Sequence, residues 1–250
     1  MPTLSELRAI VRRDAALNST DVISNADLNT LLNEGALRLA TDGHAFVLSA
    51  TWSAVASTQR YVLSGATPKV TAFLDLYWPA NGLVYQVTST STKTAPNDFR
   101  VTSEAWLDLN RPGWQDDAVS DTLQHAFLGY DSTGNLCLGV HPASSTTTPT
   151  FKLYYLSRGV DMDGDTKYPW VNSTSNLVHT EPYQQAIAYW AMYVLSRDLL
   201  RLSEEADKFL KLYTDLATQC RSAQRKLFSA EVRGSRLDAM VTASQTFGSL

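Results

Sequence analysis

Both ends of this 250-residue chain carry paired signatures of amphipathic helices, and a long strand-patterned stretch separates them. A helix with one apolar stripe cannot bury that stripe alone, and the economical solution is one bundle made from both ends of the chain. The first signature opens at Thr3-Leu-Ser-Glu6, a capping box in which the Thr and Glu side chains satisfy each other's free amides. Leu4, Leu7, Ile10 and Val11 recur behind it at helical spacing, with Arg8, Arg12 and Arg13 on the polar side. A break at Asn18-Ser-Thr-Asp21 leads to a second box, Ser24-Asn-Ala-Asp27. Leu28, Leu31, Leu32, Gly35 and Leu39 then share one face as far as Asp42-Gly43. Towards the other end, Thr180 offers a cap and Pro182 suits a first turn, ahead of an apolar face of Ile187, Trp190, Ala191, Val194, Leu195 and Leu199. Ser203 starts a further helix with Glu204 and Glu205 at its positive end. Ala206, Phe209, Leu210, Tyr213, Leu216, Ala217 and Cys220 carry its stripe towards Leu227.

The middle is of another character. Of residues 45–178, 31 are Ser or Thr, which suits strands with one wet face better than helices. Short β-type runs are expected at 47–55, 60–63, 70–78, 83–88, 99–102, 127–130, 136–140 and 151–156. In the third, Val70, Ala72, Leu74 and Leu76 alternate with Phe73 and Tyr77. Asp131-Ser-Thr-Gly134-Asn reads as a hairpin loop with Gly at a positive φ. Residues 142–149 are low in complexity and read as a loop, and 161–176 as a polar link. The expected fold is α+β: a helical domain from 1–44 and 177–228, an inserted antiparallel sandwich or small barrel at 45–176, and an extended C-terminal tail at 229–250. That tail shows no periodicity, yet scatters Val232, Leu237, Met240, Val241 and Phe247 among small polar residues.

Charge divides the chain unevenly. Residues 1–220 carry 16 Lys/Arg against 23 Asp/Glu, a net of −7, whereas 221–250 carry five against two, a net of +3. The tail basics Arg221, Arg225, Lys226, Arg233 and Arg236 therefore suit an acidic partner surface, with the apolar tail residues as anchors. Cys137 and Cys220 lack any paired spacing and read as reduced core thiols. Asn18 and Asn172 head glycosylation sequons, but no basic-then-apolar leader opens the sequence, so the expectation is a chain made in the cytoplasm and kept soluble.

Enzymatic signatures are sparse. His44, His125, His141 and His179 lie far apart with no metalloprotease spacing, and no G-x-S-x-G, Walker loop or G-x-G-x-x-G occurs. Asp161-Met-Asp-Gly-Asp165 departs from the EF-hand pattern, with Gly at its fourth position and Asn172 at its twelfth, so it reads as a solvated acidic turn. Asp108, Asp116, Asp117 and Asp121 flank Trp106 and Trp114, with Arg111 as the counter-charge. Carboxylates beside tryptophan serve glycosidases, and they equally make an acidic, aromatic loop that binds protein. The protein-binding loop, made by Trp106, Trp114, Asp116 and Asp117, is the favoured reading. A carbohydrate-binding or glycan-active protein, and a DNA-binding packaging subunit working through 221–236, remain as rivals.

The order of these features resembles the adaptor (head–tail connector) proteins of short-tailed bacteriophages. The likeness rests on 4–13 with 24–37, on Thr51-Trp-Ser-Ala through Tyr61-Val-Leu, on Leu136-Cys-Leu-Gly-Val-His-Pro with Phe151-Lys-Leu-Tyr-Tyr-Leu, and on Glu181-Pro-Tyr-Gln-Gln-Ala. It runs over about 1–228, with the central strands enlarged over 64–135. The resemblance implies a structural virion protein of the neck, without catalysis or cofactor, in a ring of twelve copies. Its helical part would dock on the portal and its β part would face the tail nozzle and fibres. Packaged DNA would pass through the ring without sequence-specific binding.

Overall fold

The computed structural model describes residues 2–15, 23–70, 72–76, 83–87, 100–120, 123–147, 149–159, 161–167 and 181–246, with 83–87, 100–101, 181 and 227–246 as secondary structure only. The expected break at Asn18, the sequon at Asn172, the cap Thr180, and His179, Asp121 and Phe247 lie outside these residues. The chain divides into two compact units: Met1–Leu48 with Leu156–Leu227, and Ser49–Tyr155 with Phe228–Leu250. The unit containing the sheets thus takes less of the middle than the expected 45–176.

The first unit is helical. Helix α1 (Leu4–Asp14) starts on Thr3, which accepts from the Glu6 amide, while Glu6 accepts from the Thr3 amide at 2.8 Å. Helix α2 (Asn25–Gly43) starts on Ser24, which accepts from the Asp27 amide, and ends at His44 in the left-handed region. Helix α4 (Gln185–Val194) passes through a π-helical segment (Leu195–Leu199) before α5 (Ser203–Thr246) begins. Leu7 and Val11 of α1, Leu32 and Leu39 of α2, Ile187 and Met192 of α4, and Tyr213 and Cys220 of α5 share one hydrophobic cluster. The two chain ends therefore do bury each other's stripes. Close approach is possible because α2 carries Gly35 where it meets α4: a Cβ there would lie 2.8 Å from the Ile187 carbonyl oxygen. On α4 the expected face is correct at Ile187, Ala191 and Leu195, but Trp190 and Val194 are half-buried and Leu199 is exposed.

The acidic turn 161–167 keeps Asp161, Asp163 and Asp165 in solvent, as expected, while its backbone and Met162 are tied to these helices. Asn33 brackets Met162, its side-chain oxygen accepting from the Met162 amide at 2.7 Å, and Met162 is buried in the helical cluster. The Leu4 amide donates to the Lys167 carbonyl at 3.0 Å, Asp165 pairs with Arg8, and Asp161 pairs with Arg158.

The C-terminal stretch differs most from expectation. Residues 229–246 are not an extended tail; they continue α5 without a break. Periodicity is the wrong test here. The nucleus of α5 is already formed upstream, so each added residue needs only adequate propensity. Ala230, Glu231, Arg233, Arg236, Leu237, Ala239 and Met240 are good helix formers, and no proline follows Pro182.

The second unit holds two sheets. In the first, β8 (Pro149–Ser157) pairs with β1 (Val47–Ser53), β3 (Phe73–Leu76) and β4 (Leu83–Val87), the last antiparallel from Leu83↔Leu153 to Val87↔Pro149. The run expected to alternate from Val70 yields only the short β3. Ala72 has a positive φ of 49°, which breaks the pleat, and Leu74 is exposed while Leu76 is buried. The second sheet has the order β2 (Arg60–Val62), β7 (Leu136–His141), β6 (His125–Tyr130), β5 (Arg100–Ser103). Aromatics of both sheets pack together: Trp52 stacks on Phe151 at 5.1 Å, and Tyr61 lies 6.1 Å from Phe151.

This second sheet is not purely antiparallel, since β5 runs parallel to β6. A parallel pair needs a crossover, and α3 (Glu104–Asn110) supplies it in a stretch read from sequence as loop. Ser103 caps α3 by accepting from the Trp106 amide at 3.1 Å. The β6–β7 hairpin turns as expected, with Gly134 at φ 85°. Asp131 organises it by accepting from the amides of Thr133 and Asn135, both at 2.8 Å. Those bonds, the Thr133 hydroxyl first, hold its carboxyl down to about 2.

Candidate interaction surfaces

The helical unit carries a groove of about 490 Å³ lined by Asp42 from α2 and Tyr213, Thr214, Ala217, Thr218, Arg221, Ser222 and Arg225 from α5. Helical spacing builds it. Tyr213, Ala217, Cys220 and Gln224 turn inward and are buried, so Thr214, Thr218, Arg221 and Arg225 fall on the adjoining outer face. Burial pushes the Cys220 thiol up to about 12, which fits a core thiol. At the floor, the Tyr213 hydroxyl donates to Asp42 Oδ2 at 2.7 Å. Burial, then this bond, raises the Tyr213 pKa, so the phenol stays neutral. Among the described residues Arg221 and Arg225 are exposed and have no ion-pair partner. The groove thus has a mixed floor, with the Tyr213 ring and Ala217 beside the Asp42 carboxylate, and Arg221 and Arg225 on its lining give it an excess of positive charge. Of the tail residues marked from sequence, it brings Arg221 and Arg225 together. Lys226 is exposed beyond it, and Arg233, Arg236, Leu237, Met240 and Val241 lie on the distal turns of α5.

The acidic, aromatic loop of the second unit is reorganised by α3. Trp114 is not a contact residue: it is 1% exposed and forms a small core with Leu107 and Phe127. Its ring meets Phe127 edge-on at 5.0 Å and His141 at 5.7 Å, and its indole N–H donates to Asp108 at 2.8 Å. Asp117 Oδ2 lies 2.8 Å from Nε2 of the buried His141, so it is half committed to the fold. Trp106 and Asp116 stay exposed, Trp106 with its ring 5.3 Å from that of His125. The pair expected to act together is therefore split, one tryptophan outward and one inward.

Two pairings escaped the sequence reading. Arg60 of β2 pairs with Glu104 of α3, donates to the Tyr130 carbonyl at 2.7 Å and lies over the Phe127 ring, clamping α3 onto the sheet. The bond to Glu104 raises the Arg60 pKa further. His125 and His141, sixteen residues apart, face each other across β6 and β7 with rings 5.9 Å apart. The hairpin turn at 131–135 together with strand alternation was the signal for the second pairing; nothing local signals the first. Among the described residues no group of three or more His, Cys, Asp and Glu is placed to hold a metal ion, and no helix is long and apolar enough to cross a membrane.

The helical unit thus presents a groove with excess positive charge, and the sheet unit presents an exposed helix with Trp106 and Leu109 outward. The SU10 adaptor protein family model matches residues 2–237, and the chain belongs to that family. It is a bacteriophage adaptor, a structural component of the virion neck, as the resemblance implied. No curated protein matches the chain.

Proposed function

We propose that this protein is the ring-forming subunit beneath the portal, which closes the head after packaging and continues the DNA channel towards the tail. The family match over 2–237 carries the reading, because it spans the helical ends and the sheet unit alike. In this role the helical unit docks on the portal, the sheet unit faces nozzle or fibre proteins, and twelve copies close the ring. No step is catalytic and no cofactor is bound. The distal turns of α5, with Arg233, Arg236, Leu237, Met240 and Val241, contact the portal or an adjacent subunit. The rival carbohydrate reading loses its support, because Trp114 is buried and Asp108 holds its indole.

Negative-stain imaging of the purified protein mixed with the portal of the same phage tests the reading. The expected result is an added ring on one end of the portal, and much less of it with a chain ending at Phe228. Bare portals with the full-length protein would refute it.

A further inference from the structure

We propose that neighbouring copies are joined by α3 of one subunit entering the groove between α2 and α5 of the next. The contact deepens the ring reading above by naming a surface between subunits, and it rests on that reading. Leu109 is 81% exposed, the most exposed large apolar side chain among the described residues, and Trp106 on the same helix is 39% exposed. They are not on a loose loop. Leu107 and Trp114 anchor the other side of α3 in the core, and the Arg60–Glu104 pair clamps its first turn. An apolar knob held this rigidly loses little entropy on docking. Its surroundings are acidic, with Asp108 and Asp116 exposed near it and Arg111 as the counter-charge.

The groove has the complementary character. The Tyr213 ring and Ala217 give it apolar surface, and Arg221 and Arg225, which have no ion-pair partner among the described residues, outweigh the one carboxylate in the lining, Asp42, which accepts from the Tyr213 hydroxyl. Knob and groove lie on different units and are unlike surfaces. A contact between them is heterologous, the kind that generates a ring when its rotation closes. A two-fold contact through either patch alone would set like charges against each other, Arg221 and Arg225 on one side or Asp108 and Asp116 on the other. Because this chain carries both the acidic apolar knob and the net-basic groove, a second copy of it is the occupant.

The test places the photo-reactive residue p-benzoylphenylalanine at position 109 in the full-length protein. Leu109 is exposed, so folding should be unaffected, which circular dichroism checks. After assembly on the portal and irradiation, the expected product is a copy-to-copy crosslink into the tryptic peptide 212–221. Arg221→Glu with Arg225→Glu should lower the crosslinked fraction about tenfold, and adding Asp116→Arg should recover part of it. Rings that form but crosslink through position 109 to the portal or to another part of this chain, or that give no crosslink, would overturn the contact and leave the ring reading standing. Portals that stay bare with wild-type protein would overturn both.

Discussion

Trp114→Ala should be among the most damaging single substitutions in the sheet unit, and its cost follows from its surroundings. The indole is 1% exposed and touches Phe127 and His141 edge-on, so truncation removes the filling between α3 and the sheet. Such large-to-small changes cost about 3–5 kcal/mol when the site cannot collapse. Collapse is resisted here, because Arg60 and Glu104 hold the first turn of α3 on the sheet. The lost bond to Asp108 adds little, since that carboxylate is exposed and water can replace the indole. Trp114→Phe separates the two effects. It keeps an aromatic ring in the core and drops only the N–H and part of the volume, for about 1–2 kcal/mol. Urea unfolding followed by near-ultraviolet circular dichroism reads both, provided the denaturant slope is unchanged. If Trp114→Ala lies within about 1 kcal/mol of wild type, the ring is not a core element and the account of α3 is wrong.

Three further outcomes are expected. Trp190→Ala should cost less, about 2 kcal/mol, because the ring is half-buried between Arg38, Tyr193 and Tyr213; a loss above about 4 kcal/mol by urea titration would contradict that placement. Gly35→Ala should destabilise by about 1–3 kcal/mol although alanine favours helix, because the new Cβ meets the Ile187 carbonyl, a backbone atom that cannot step aside; a higher melting temperature would mean that α2 and α4 are further apart. The Asp131 carboxyl, depressed from 3.8 to about 2, contributes its loop bonds fully above the unfolded value and loses them as pH falls through about 2. Its carbon resonance should titrate there, and a midpoint near 4 would show that the turn bonds are absent.

Short-range chemistry was enough to place the helical half of this protein. Thr3, Ser24 and Ser203 mark helix starts by side-chain capping or an acidic first turn, and stripes at three-and-four spacing fixed which faces had to be covered. The hairpin at 131–135 was equally legible, because a positive φ at Gly134 and side-chain acceptance by Asp131 are properties of neighbouring residues. Long-range events decided the remainder. The inward turn of Trp114, the clamp of Arg60 on Glu104 across 44 residues, and the meeting of Asp42 with Tyr213 across 171 depend on which elements pack together. Local pattern carries no record of such partners. For that reason a tryptophan that read as a binding residue became core, and a tail without periodicity became helix once a formed helix preceded it. Arg221 and Arg225 acquired a groove only because α2 ends beside them, which no spacing within α5 could have shown.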